Sequence, residues 1–154
     1  MKYSLILTLM AGMLLAQLLA SGQNLPLTNQ AVEQCQRGDL WGSASTIQKA
    51  VESAAEKNSA RTWYVKAYVH KEIFKSTDIP AVAEQHRTLA VEAVEKCMSL
   101  DTKGTESEQC LLLLDFVSVY IFNDAMLSIA DITSADDHKP EIQFNEYLRV
   151  RKIC

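Results

Sequence analysis

The sequence predicts an all-α protein made of helix pairs packed side by side, and three observations carry that prediction. First, a pattern of small and large residues occurs twice. Ser43 is followed by Ile47 and then by Ala50-Val51, and Ala90 is followed at the same offsets by Val94 and then by Cys97-Met98. Those offsets put the side chains on one helical face, and small residues alternating with large ones let neighbouring helices approach closely. Second, apolar residues elsewhere recur every three and four positions. Third, the 154 residues include only 5 glycines and 3 prolines, too few turn formers for an all-β chain. A chain of this length holds at most one domain.

The segment 1–22 is read apart from that domain. Lys2 is its only charge, Ser4 to Ala20 is almost entirely apolar, and Ala20-Ser21-Gly22 offers small residues where a signal peptidase reads. This pattern predicts a cleaved secretory signal ending before Gln23, hence an exported protein, periplasmic or secreted. An uncleaved anchor is the competing reading, and only then is a membrane involved. Cleavage leaves 132 residues (154 less 22) and a formal charge of −5 (−4 less the +1 of Lys2). Mild acidity without clustered Lys and Arg speaks against nucleic acid as a partner.

The elements follow in order. Leu27 to Gln36 reads as a short helix closed by Arg37-Gly38-Asp39, with Gly38 suited to the left-handed residue that ends a helix. Leu40 to Lys57 reads as the next helix, with Leu40, Ala44, Ile47, Val51 and Ala54 in one apolar stripe. Asn58-Ser59 can cap a helix running through Trp63, Ala67, His70 and Phe74. Lys75 to Ile79 is a polar break. Pro80 fits the first turn of a helix whose inner side carries Val82, His86, Leu89, Ala93, Val94 and Cys97. Thr105 followed by Glu108 is a capping-box pattern opening another helix. Within it Cys110 to Phe122 is apolar nearly all round, so it must be covered. As a run it is too short to span a bilayer. Self-association through this segment is one way to cover it. Thr133 to Pro140 reads as a loop and Glu141 to Lys152 as a last short helix. The predicted division is therefore a signal segment 1–22, a helical domain 23–131, and a C-terminal loop and helix 132–154.

The four cysteines are Cys35, Cys97, Cys110 and Cys154. In an exported chain they invite disulfides, and Cys97 with Cys110 is the most plausible pair because the two flank a short loop. The other reading is a set of free cysteines behaving as small core residues. With no CxxC, a thioredoxin-like site and the common zinc spacings are disfavoured.

Gly38-Asp39-Leu40 with Ser43, Ile47, Ala50 and Val51, and then Trp63, Ala67, Ala90, Val94, Cys97, Met98, Leu100 and Asp101, together resemble the tetratricopeptide repeat, a unit of ~34 residues and two antiparallel helices. A third unit is placed on Glu106 to Ala130. The chain departs from the pattern at Lys66, where leucine is usual, at His70 for tyrosine and at Thr102 for proline, and the interval between Phe74 and Ala90 is longer than the family's turn. With the signal segment, the Thr62-Trp63-Tyr64 and Lys66-Ala67-Tyr68 run also looks like periplasmic repeat proteins of Bacteroidetes-type bacteria. The resemblance implies a short right-handed α-solenoid of about three pairs. It also implies a non-catalytic scaffold that binds a protein or peptide in the cell envelope through its concave face.

Carried over by position, that face presents Val32, Cys35 and Gln36, then Arg61, Tyr64, Tyr68, Lys71 and Glu72; the expected partner-binding set is Gln36, Arg61, Tyr64, Tyr68, Lys71 and Glu72. Tyrosine and arginine suit binding because they bury area while keeping a polar handle. The blander reading is that the tyrosines only pack against a neighbouring pair. The alternative to a scaffold is a compact disulfide-linked bundle acting as a secreted inhibitor or small-ligand carrier.

No catalytic, cofactor or metal constellation is predicted. There is no HExxH, no Gly-rich phosphate loop and no GxSxG. His70, Lys71 and Glu72 are consecutive or nearly so and point apart on a helix. His86 reads as a satisfied core histidine, and Asp136-Asp137-His138 as a solvated loop. Asp115, inside its apolar helix, is expected either in the groove or against a lysine such as Lys66.

Overall fold

The computed structural model describes residues 25–130 and 138–153, with Ala130 placed in backbone only. Among them are six helices and no strand: α1 Leu27–Gln36, α2 Leu40–Glu52, α3 Ala60–Ser76, α4 Pro80–Leu100, α5 Ser107–Ala130 and α6 Lys139–Arg151. The predicted signal segment 1–22 and most of the Thr133–Pro140 loop lie outside the described residues.

The joint between α1 and α2 forms as the sequence directs. Gly38 adopts φ 83°, its N–H donates to Cys35 O, and the Asp39 N–H reaches back to Gln34 O, which together satisfy the orphan carbonyls at the end of α1. Asp39 then opens α2, its Oδ1 accepting the Gly42 N–H at 2.9 Å.

The helix expected over Leu40 to Lys57 ends five residues early, at Glu52, and Ala54 is exposed beyond it. The reason lies in the following turn. Ser53 leaves the helical region, and Glu56 swings back so that its carboxylate accepts the N–H groups of Leu27 and Thr28, both at 2.9 Å. These are first-turn donors of α1, which has no cap from Pro26. Burial raises the Glu56 pKa, but its bonds to Thr28 and Leu27 outweigh that and hold it below the usual carboxylate value.

The repeated small–large pattern is the packing seam. Ser43, Ile47, Ala50, Ala90, Val94 and Cys97 are fully buried. Ser43 is small enough for its hydroxyl to reach the Ala31 carbonyl of α1 at 2.7 Å. Two core clusters result. One joins α1, α2 and α3 around Ala31, Ile47, Ala50, Val65, Val69 and Ile73. The other joins α3, α4, α5 and α6 around Ala67, Val91, Val94, Cys97, Leu114, Val117, Ile121 and Val150. α3 sits between them, touching α1, α2, α4 and α5.

The helix expected from Pro80 begins there, and its first turns fill the long interval between Phe74 and Ala90. Expectations are corrected around α5. Thr105 does not cap α5. Its N–H and hydroxyl both donate to the Asp101 carboxylate, which also accepts from the Glu106 N–H and the Ser107 hydroxyl. Slight burial raises the Asp101 pKa, but these bonds prevail and hold it at about 2. α5 is longer than its apolar run. Ser107–Ile129, 23 residues of mean hydropathy 1.7, is long and apolar enough to cross a membrane by length and composition. One side of it is nonetheless core, through Cys110, Leu113, Leu114, Val117, Ile121 and Ala125. Asp115 lines neither cleft beside α3 and its partner is not Lys66: it is exposed, borders a separate cleft between α5 and α6, and pairs with Arg151 of α6 at 2.6 Å.

Candidate binding groove

α3 is covered on most of its circumference, and what it leaves open is one row. Arg61, Tyr64, Tyr68, Lys71 and Lys75 follow one another at three and four residues, so they stand in line along the helix. Val65, Val69 and Ile73 turn into the α1–α2 cluster and Ala67 into the other. Tyr64 packs against both clusters.

Two clefts flank this row. Between α1 and α3 lies a cleft of about 280 Å³, floored by Val32, Val65 and Val69 and edged by Cys35, Gln36, Arg61, Tyr64 and Tyr68. Between α3 and α5 lies one of about 220 Å³, bounded by Tyr64, Tyr68, Lys71, Gln109, Leu112, Leu113 and Phe116. The two tyrosines belong to both clefts, their rings 6.4 Å apart and tilted by 48°.

Electrostatics fix the second cleft. The Lys71 ammonium lies 4.2 Å from the Tyr68 ring centroid and 5.5 Å from that of Phe116, close enough for cation–π attraction to both. Lys71 also bonds Glu72, which accepts from Lys75 at 3.2 Å. Burial raises the Glu72 pKa, but the two lysines outweigh it and hold the carboxylate ionised. Burial, then the Glu72 charge, pushes the Tyr68 hydroxyl up, and burial does the same to Tyr64, so both remain protonated donors. Burial and Glu72 also raise the Cys35 thiol, which makes it a poor nucleophile. Arg61 is exposed and makes no ion pair with the described residues.

Of the six residues predicted from sequence, Gln36, Arg61, Tyr64 and Tyr68 line the first cleft, and Lys71 joins the tyrosines in the second. Glu72 lines neither and acts as the anchor of Lys71. Sequence reasoning missed the whole contribution of α5. Gln109, Leu112, Leu113 and Phe116 do have helical spacing, but an all-round apolar helix hides which of its faces looks at a neighbour.

Two further polar clusters occur. His70 Nδ1 and His86 Nδ1 meet at 2.8 Å in the interior, with the Trp41 ring edge-on to His86 at 5.2 Å. Near them Lys66 is buried and donates to Gln48 Oε1 at 3.0 Å, and burial lowers its pKa. A cleft of about 400 Å³ on the α4–α5–α6 side holds Arg87, 4% exposed, which pairs with Asp124 at 2.5 Å; its other arm lies 3.8 Å from Glu146. Two carboxylates answer the one guanidinium there, so the cleft offers no free charge of the arginine to a ligand. No group of three metal-ligating side chains occurs among the described residues. No family model, no curated protein and no solved structure matches this chain.

Proposed function

We propose that this chain is a non-catalytic scaffold of the cell envelope that binds an extended segment of a protein or peptide along the α1–α3–α5 groove. The single observation that carries the reading is that two adjacent clefts share Tyr64 and Tyr68, on the row that the tetratricopeptide resemblance assigns to its concave face. In this reading α1–α2, α3–α4 and α5–α6 are three antiparallel pairs stacked as a short right-handed solenoid. Its support is that α3 touches α1 and α5 in addition to its chain neighbours α2 and α4. The apolar segment Ser4 to Ala20 supports export.

The chemistry of the groove fits such a ligand. Val32, Val65 and Val69 take an apolar side chain, while Gln36, Arg61 and the tyrosine hydroxyls offer hydrogen bonds to a peptide backbone that has no partner of its own. Lys71, held between two rings and Glu72, is ordered before any ligand arrives, which lowers the cost of binding. The outer row of α5, with Val119, Met126 and Leu127 exposed, is a second contact surface, and we assign it to self-association.

The test is partner capture from cells with the wild-type chain and with Arg61→Ala, Tyr68→Ala and Glu92→Ala variants. Glu92 is exposed on α4, away from the groove. A partner retained by Glu92→Ala and lost by both groove variants supports the reading. A partner held equally by all four chains refutes it.

A further inference from the structure

Two cysteines meet where α4 packs on α5. Cys97 stands in the last turn of α4 and Cys110 in the first turn of α5, 13 residues apart in sequence, and both are fully buried. The Cys110 thiol donates to Cys97 Sγ at 2.7 Å. Bonded sulfurs stand ~2.05 Å apart, so little movement separates the contact from the bond. The connecting loop is itself fixed, because the Asp101 carboxylate gathers Thr105, Glu106 and Ser107. The hydrogen bond from Cys110 lowers the Cys97 pKa, and the same bond, followed by burial, raises that of Cys110. Cys97 is therefore the more acidic thiol of the pair in the folded chain.

We propose that Cys97 and Cys110 close into one intramolecular disulfide when the folding chain meets a disulfide donor, either a thiol–disulfide oxidoreductase or a low-molecular-weight disulfide. One of the two cysteines, as a thiolate, attacks one sulfur of the donor and expels the other as a thiolate. The second cysteine then gives up its proton and displaces the donor's remaining sulfur from the mixed disulfide. Two protein thiols are oxidised, the donor disulfide is reduced to two thiols, and the protons end on the donor's sulfurs. Because both cysteines are buried in the finished fold, exchange takes place before α5 has fully docked on α4. Cys35 stays outside the bond, at the edge of the groove on α1.

The bond has a consequence for the groove. Tyr64 packs on the cluster that holds both cysteines, so the disulfide pins the floor beneath the residue shared by the two clefts. It also ties the second helix of one pair to the first of the next. The inference does not depend on what the groove binds.

The test refolds the full chain in a buffer with oxidised glutathione in excess, unfolds it, alkylates free thiols and maps the cysteines by peptide mass spectrometry. The expected result is a Cys97–Cys110 cross-linked peptide, lighter by two hydrogens than the reduced pair, with Cys35 alkylated. Cys97 and Cys110 both alkylated, or linked instead to Cys35 or Cys154, overturns the proposal. Reduction of the wild type should lower its folded-to-unfolded ratio by about a hundredfold for so short a loop, and should leave a Cys97→Ala/Cys110→Ala double variant unchanged. A wild type whose stability ignores the reductant overturns the stapling role.

Discussion

The buried His70–His86 pair makes the fold sensitive to mild acid, by an amount that follows from its surroundings. With Nδ1 facing Nδ1 at 2.8 Å, one ring must donate and the other accept, so the contact requires a neutral acceptor. Burial, then the neighbouring His86, then the Lys66 charge lower the His70 pKa from 6.5 to about 4. Burial lowers that of His86 as well. The groups facing the pair are Lys66 on the same helix, Trp41 on α2 and His86 on α4. Above pH 6.5 His70 is neutral in both the folded and the unfolded chain, and its contribution is fully present. As pH falls from 6.5 to about 4, the unfolded chain takes up a proton that the folded chain refuses. Stability then drops by about 1.4 kcal/mol per unit, for a total of about 3 kcal/mol. Below about 4 both states are protonated and the loss levels off. The assay is urea denaturation followed by circular dichroism across that range, for the wild type and for His70→Phe. Carboxylates such as Glu56 and Glu72 titrate at the acid end in both chains, so the difference between the two curves isolates the histidine. Curves that run parallel throughout, or a His70 resonance titrating near its ordinary pKa in the folded protein, refute the reasoning.

Three further outcomes are expected from the same denaturation assay. Ile47→Ala empties a fully buried position at the seam of α1, α2 and α3, and should cost about 2–5 kcal/mol. Asp39→Ala removes the bond to the Gly42 N–H that opens α2 and should cost about 1 kcal/mol. By contrast, Arg151→Ala breaks the pair with Asp115, whose side chains are 44% and 66% exposed, and should change stability by about 0–1 kcal/mol, less at high salt.

The parts of the fold that were legible in sequence rest on local signals. Gly38 admits a left-handed turn without the cost a side chain would add, and Pro80 starts a helix more readily than it continues one. Ser43, Ile47, Ala50 and their counterparts Ala90, Val94 and Cys97 were legible because a close helix seam must alternate small with large. What was not legible depends on distant partners. Nothing near Glu56 reveals that it caps a helix 28 residues earlier, so the end of α2 was placed too late. Asp115 was assigned the wrong environment because its partner, Arg151, lies 36 residues away in a helix whose docking side was not legible. His70 and His86 each read as an isolated residue, and only the packing of α4 on α3 makes them a pair. In the groove, the α3 row was reached through the positions that the tetratricopeptide resemblance assigns to the concave face, and residue type alone did not mark it, since Lys66 of the same helix is buried. The α5 wall was not reached, since leucine and phenylalanine look the same in a core and in a cleft.

The measurement that bears most directly on the groove is site-specific photo-crosslinking in living cells. One probe replaces Tyr68, at the centre of the two clefts and 39% exposed; a control probe replaces Glu92, exposed on α4. A discrete adduct from position 68 and none from position 92, with the partner identified by mass spectrometry, is the predicted result. Equal labelling from both positions, or none from position 68, would contradict the account and move the working surface to the exposed side of α5.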